Sequence, residues 1–196
     1  MSASSTRSAV SVAAEPRRSP PEPRRTPRTG FRRVLRAPLV IGMAVAVVVI
    51  DQLSKQWALS RLGDGSIVEV IGSLRFRLTF NTGTAFSLGD DLQLGPFIAV
   101  LALAVVGWLL WSGHSDTRGG AVAAGLIAGG AIGNLLDRAF RSGPWGGEAG
   151  FMGGAVVDFV DAQWWPVFNV ADAAIVIGAV LLVLVSMRAL LPDAQA

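Results

Sequence analysis

The sequence predicts an all-α membrane protein of four transmembrane helices, with a small β-sheet at the extracytoplasmic face. Three observations predict it. The 196-residue chain is 52% hydrophobic, with a mean hydropathy of +0.51. Its apolar residues fall into four runs, Pro38–Leu59, Leu92–Ser112, Gly119–Phe140 and Phe168–Leu191. Each is close to the roughly 20 helical residues that cross ~30 Å of hydrocarbon. Between the first two runs, Ser66–Phe80 alternates apolar and polar side chains in strand fashion.

The charge map sets the topology. Arg7, Arg17, Arg18, Arg24, Arg25, Arg28, Arg32, Arg33 and Arg36 all precede the first apolar run. Such an excess marks the cytoplasmic flank, so the pI near 10.9 is a topology signal and not a nucleic-acid footprint. Four crossings return the C-terminus to the same side. Residues 1–36, rich in Ser, Pro, Ala and Arg, cannot bury a core and are expected to be a disordered cytoplasmic tail. Residues 37–191 form the transmembrane domain, and 192–196 a short cytoplasmic end. The chain has no cysteine, and its one histidine, His114, lies in the predicted cytoplasmic loop His114–Arg118. A thiol, a disulfide, a histidine triad or a zinc site on the outer face is thereby excluded.

In the first span, Asp51 and Lys55 stand at i,i+4 and share a helix face. They read as a structural ion pair that orients the helix near its outer end. Phe31-Arg-Arg-Val-Leu-Arg36 before an apolar run is similar to a twin-arginine or cleavable export signal. The charges of Asp51 and Lys55 interrupt the run where a signal would continue, so a retained helix is expected. Ser54 beside Lys55 raises a Ser–Lys peptidase, but adjacent helical residues point in different directions.

The strand-like stretch turns at Gly72-Ser73, giving a two-stranded sheet. It leads into Asn81-Thr-Gly-Thr-Ala-Phe-Ser87, a connector or a lid. The third span repeats Gly125, Gly129 and Gly133, the small-xxx-small spacing that lets helix backbones approach. Asn134, Asp137 and Arg138 form a polar stripe at its outer end. A glycine-rich loop, Gly143–Gly154, follows and tightens into Ala155-Val-Val-Asp-Phe-Val160, a short strand with Asp158 in its middle. Trp57, Trp164 and Trp165 fall at the outer interface and Trp108 and Trp111 at the inner one, matching an aromatic belt. The fourth span opens with Asn169 as N-cap and Asp172 three residues on, the spacing of a capping box. Taken alone, Asp172 reads as a cap.

Threaded through a bilayer, Asp51, Asp137, Asp158 and Asp172 all fall on the outer side. Ionisable groups near hydrocarbon are costly and mark function. Carboxylates gathered at one face fit shared-proton chemistry, or the cation path of a small proton- or cation-coupled transporter. Against the transporter, nothing comparable lines the inner half of the last three spans, and no repeat or pair of unwound helices is visible. A purely structural membrane subunit leaves Asp158 and Asp172 unexplained.

Asp51-Gln-Leu-Ser-Lys55, Asn81-Thr-Gly-Thr-Ala-Phe86, Gly129-Gly-Ala-Ile-Gly-Asn-Leu-Leu-Asp-Arg138, Val156-Val-Asp-Phe159 and Phe168-Asn-Val-Ala-Asp172 stand in the order and spacing of one family. Over roughly residues 38–191 the chain resembles lipoprotein signal peptidase, or signal peptidase II, a membrane aspartic protease. The resemblance implies removal of the signal peptide from diacylglyceryl-modified bacterial prolipoproteins, with the cut before the lipidated cysteine. It implies Asp158 and Asp172 as the catalytic pair. Asn81, Gly83, Asn134, Asp137, Arg138 and Asn169 would bind or orient the substrate, the sheet would be a cradle, and the loop after Asn81 a flap. It also implies the bacterial inner membrane, both termini cytoplasmic, and an active site at the extracytoplasmic face. The partners would be prolipoproteins and membrane lipid, without nucleic acid, the chain working as a monomer with no metal or organic cofactor. The sequence departs from the family at Ala173, where Ser is frequent, at Thr84, where Ala is common, and in the longer Gly143–Gly154 stretch.

Overall fold

The computed structural model describes residues 29–82, 100–101, 103–108, 117–141 and 153–190. They form helices α1 (Thr29–Leu62), α2 (Arg118–Phe140) and α3 (Val170–Leu190), and strands β1 (Ile67–Ile71), β2 (Leu74–Asn81) and β3 (Val156–Asp161). Stretches of all three helices, Arg36–Leu62, Arg118–Phe140 and Val170–Arg188, are long and apolar enough to cross a membrane. They match three of the four predicted spans. The other, 92–112, lies largely outside the described residues, although helical residues at 100–101 and 103–108 belong to it. Val106 of that stretch packs with Val40, Ala121, Ala124 and Ile127 in a buried apolar cluster. Residues 1–28, the loop 83–87, most of the glycine-rich loop and 192–196 also lie outside the described residues.

α1 begins at Thr29, upstream of the predicted start at Pro38, so residues 29–36 of the expected disordered tail are helical. Arg32, Arg33, Leu35 and Arg36 are good helix formers. Pro38 sits inside the helix, a placement that membrane helices tolerate when neighbours satisfy the freed carbonyl.

The glycines of α2 set how the helices pack. A Cβ on Gly125 would lie 2.8 Å from the Val40 carbonyl oxygen, one on Gly129 2.7 Å from the Ala44 oxygen, and one on Gly133 2.6 Å from Asp51 Oδ2. Only a hydrogen fits at these positions, and the backbones of α1 and α2 touch along them. As the residue number rises on one helix it rises on the other, so the two run parallel. On the opposite side, Gly130 meets the Ala171 carbonyl and Gly119 meets Val185, so α3 runs antiparallel. Thr117 caps α2 by accepting from the Gly120 N–H at 2.9 Å.

The sheet has the order β1-β2-β3, antiparallel throughout. Gly72, with φ +57°, makes the predicted turn. The sequence indicated two strands here and a separate strand near Asp158; the structure joins all three. Residues 156–159 are buried, and an apolar run covered on both faces needs a partner strand at its edge. β2 supplies it with Thr79 opposite Asp158 and Asn81 opposite Val156. Arg75 and Arg77 of β2 both donate to Asp161 Oδ2, at 2.9 and 3.0 Å. The sheet sits on the C-terminal end of α1, where Trp57 meets Phe76 edge-on at 5.3 Å and Phe159 at 6.1 Å. Ala58 and Leu62 bury against Phe159 beneath it. The sheet, the ends of α1 and α2 and the start of α3 thus meet at one end of the bundle.

Candidate active site

Four asparagine and aspartate side chains converge there from three elements, joined by Asn81 from β2. β3 presents Asp158, α2 presents Asn134 in its last two turns, and the start of α3 presents Asn169 and Asp172. Asn169 is the pivot. Its backbone N–H donates to Asp172 Oδ2 at 3.3 Å, and its Oδ1 accepts from the Asp172 N–H at 3.0 Å. That is the reciprocal capping box its spacing predicted. With its oxygen so engaged, Asn169 turns Nδ2 toward Asp158 Oδ1 at 2.6 Å and Asn134 Oδ1 at 3.1 Å. Asn81 Nδ2 donates to Asp158 Oδ2 at 3.1 Å, and Asn134 Nδ2 to Asp172 Oδ1 at 2.8 Å. Every oxygen of the two carboxylates therefore has an amide donor.

The two acids differ in exposure. Asp158 is 2% exposed, whereas Asp172 is partly open. Burial, then the nearby charge of Asp172, push the Asp158 carboxyl up to about 7, against the donors Asn169 and Asn81 and the charge of Lys55. On the far side of the sheet Asp161 goes the other way. Burial opposes its ionisation, but the Gln163 N–H and the Arg75 and Arg77 guanidinia outweigh it and hold the carboxyl below its ordinary value.

Behind the pair lies a wholly buried ion cluster. Lys55 is 0% exposed, and Nζ reaches Asp51 Oδ2 and Asp137 Oδ2 at 2.8 Å each. Its third proton goes to Asn134 Oδ1 at 3.0 Å, so all three ammonium donors are used. Asp51 Oδ1 accepts from the Ala171 N–H at 2.9 Å, satisfying an orphan donor in the first turn of α3. Asp137 Oδ1 accepts from Arg141 Nε at 2.7 Å and Gln52 Nε2 at 3.1 Å. Its Oδ2 accepts from the Val157 N–H of β3 at 3.2 Å. The cluster thus pins both elements that carry the carboxylates. Arg138, 7% exposed, is a charged neighbour of Asp158 and Asp172, with Nη1 on the Asn134 carbonyl at 3.5 Å.

Of the residues singled out in the sequence, Asn81, Asn134, Asp158, Asn169 and Asp172 meet directly. Asp137 stands apart from them, in the cluster with Asp51 and Lys55. Gly83 lies outside the described residues. Gln52 and Arg141 were not anticipated, although Arg141 stands at i,i+4 from Asp137, the spacing that signals such a partner. Nor did the sequence show that Lys55 reaches Asn134, 79 positions away.

A family model described as Signal peptidase (SPase) II matches residues 43–188. The lipoprotein signal peptidase of Rhodococcus jostii (strain RHA1) is 38% identical over 177 residues, 89% of this chain and 81% of that protein. The lipoprotein signal peptidase of Polynucleobacter necessarius subsp. necessarius (strain STIR1) is 41% identical over 158 residues, 76% of this chain and 88% of that one. Among solved structures, a bacterial membrane enzyme determined by the in meso method at 2.3 Å superimposes with a TM-score of 0.64. It is 25% identical, covering 82% of this chain and 94% of the other.

Proposed function

The chain belongs to the signal peptidase II family, and on that premise we propose that Asp158 and Asp172 form an aspartyl pair with which it removes signal peptides from prolipoproteins. It is a multi-pass bacterial membrane protease. The relatives give the transporter reading no support. The observation that carries the aspartyl reading is Asn169, whose side chain holds Asp158 while its backbone holds Asp172.

Two close carboxylates cannot both ionise cheaply, so the pair shares one proton. The ionised member draws a proton from water, which attacks the scissile carbonyl carbon. The protonated member donates to the carbonyl oxygen, and the departing amine then takes a proton as the tetrahedral carbon collapses. The proton belongs to the pair and not to one member. A carboxyl raised to about 7 is suited to holding it at neutral pH. Asn81, Asn134 and Asn169 fix the carboxylate planes, and Arg138 supplies a positive charge behind them.

The substrate in this reading is a prolipoprotein with a diacylglyceryl-modified cysteine, cut just before that residue. The acyl chains and the signal helix keep it in the bilayer, so the scissile bond sits near headgroup level. With the arginine-rich N-terminus cytoplasmic, the end of the bundle carrying the pair faces outward.

The test is cleavage of a diacylglyceryl-modified prolipoprotein by purified wild type, Asp158→Asn and Asp172→Asn. The expected result is cleavage by the wild type and a loss of at least about 10²–10⁴-fold in each folded variant. Substantial cleavage by either variant sinks the aspartyl pair.

A further inference from the structure

Among the described residues, two buried side-chain polar atoms have no hydrogen-bond partner: Arg36 Nη1 and Thr79 Oγ1. Arg36 stands at the far end of the first span. Thr79 stands in the site. It lies directly across from Asp158 in the β2–β3 register, and residues so opposed share one face of the sheet, with Cβ atoms about 4.5–5.5 Å apart. A shift in register places it there. Arg75 pairs with Asp161 and Phe76 with Val160, but beyond the shift Thr79 pairs with Asp158 and Asn81 with Val156. β2 thus gains one residue on β3 between Phe76 and Thr79. In an unbroken ladder Leu78 would oppose Asp158, and Asn81 would point to the other face. The extra residue re-aims both side chains, as bulges beside active sites do. Asn81 uses its new position, donating to Asp158 Oδ2 at 3.1 Å. Thr79 does not, although it is just as close in register: Asp158 Oδ1 is bonded by Asn169 Nδ2 and Oδ2 by Asn81 Nδ2.

We propose that the Thr79 hydroxyl binds a backbone amide or carbonyl of the substrate peptide beside the scissile bond, on the Asp158 side of the pair. The proposal rests on the peptidase reading above. A hydroxyl buried without a partner costs folding free energy. Valine has the same shape, needs no partner and suits a strand as well, so the hydroxyl does nothing for the folded sheet that valine would not do. Its use lies with a group that arrives from outside. Asp158 is itself 2% exposed, so water and peptide reach the pair only when this face opens. The opening that uncovers Asp158 uncovers the side chain directly across from it. A peptide backbone carries a donor and an acceptor at nearly every residue, and a hydroxyl pairs with either kind. The contact fixes the scissile carbonyl over the carboxylates, where orientation governs rate.

The experiment measures cleavage of a diacylglyceryl-modified prolipoprotein, and thermal unfolding in detergent, for wild type, Thr79→Val and Thr79→Ser. Thr79→Val is expected to melt at or above the wild-type temperature while losing about tenfold or more in kcat/KM per folded molecule, the scale of one hydrogen bond. Thr79→Ser keeps the hydroxyl and is expected to keep most of the wild-type rate. The alkaline midpoint of the rate should be the same in all three, because the hydroxyl bonds the peptide and not the carboxyl. Full activity in Thr79→Val overturns the proposal. So does an equal loss in Thr79→Ser, since the hydroxyl is then not what matters. A lower melting temperature in Thr79→Val with kcat/KM unchanged assigns the hydroxyl to the fold, and a shifted alkaline midpoint assigns it to Asp158; either result overturns the proposal. In all these cases the wild type still cleaves, and the peptidase reading stands. No cleavage by folded wild type overturns both.

Discussion

Asn169 and Asp172 cap each other: each backbone N–H donates to the other's side chain, at 3.3 and 3.0 Å. The same contact that starts α3 therefore aims the Asn169 amide at Asp158. Serine at 169 keeps an acceptor for the cap but has no donor that reaches Asp158. Asn169→Ser is expected to melt within a few degrees of wild type and to lose about 10²-fold in cleavage rate. Equal losses in folded fraction and in rate, measured by thermal unfolding and initial velocity, would mean that Asn169 serves the helix alone.

Lys55 bridges two fully buried carboxylates, Asp51 and Asp137. Lys55→Met takes the lysine from Asp51 and leaves Asp137 with Arg141, and breaking a buried pair in this way costs about 3–5 kcal/mol. Unfolding followed in detergent should show a large fall in melting temperature. Adding Asp51→Asn and Asp137→Asn to Lys55→Met should recover part of it, because uncharged amides need no counter-ion. No recovery in the triple variant would assign the loss to packing.

The pH dependence follows from Asp158. Its carboxyl is raised from 3.8 to about 7 by burial and by Asp172, so the folded protein binds that proton more tightly than the unfolded chain. The stability it contributes is fully present below 3.8 and is lost as pH rises through about 7. Wild type is expected to melt at a higher temperature at pH 5 than at pH 8, and the difference should shrink in Asp158→Asn. The cleavage rate should fall on the alkaline side with a midpoint near 7, as the pair gives up its shared proton. A rate flat from pH 6 to 9 would contradict the shared proton.

The approach of α1 to α2 tolerates no side chain at Gly129, where a Cβ would lie 2.7 Å from the Ala44 oxygen. Overpacking costs about 1–3 kcal/mol, and Gly129→Leu is expected to lower the melting temperature sharply. Gly42→Leu is the control, since a Cβ there meets nothing within 4 Å, and it should melt as wild type does.

Much of the site was legible because its chemistry is local. The Asn169–Asp172 box, the Asp51–Lys55 pair and the glycine repeat of α2 are spacings of three or four residues, which helix geometry converts directly into contacts. Asp158 stood out as a charge in an apolar strand. What stayed hidden depends on residues far apart in the chain. β3 joins β2 across 77 positions between Asn81 and Asp158. In the sequence Lys55 reads as half of a helix-orienting pair with Asp51; only the packing of α2 against α1 brings Asp137 to it. The early start of α1 was hidden because proline and arginine-rich composition suggested disorder, whereas the backbone carries the helix through Pro38.

α2 is the least apolar of the three membrane helices and the most enclosed, with 67% of its most apolar stretch buried against 22% in α1 and 17% in α3. Its surface is largely glycine and alanine, ending in Asn134, Asp137 and Arg138, and lipid tails are a poor solvent for such a helix. α1 covers this surface, with Val40 and Ala44 against the glycines and Lys55 against Asn134 and Asp137. Synthesis from the N-terminus delivers α1 first, so the groups that pair with the polar end of α2 precede it in the chain.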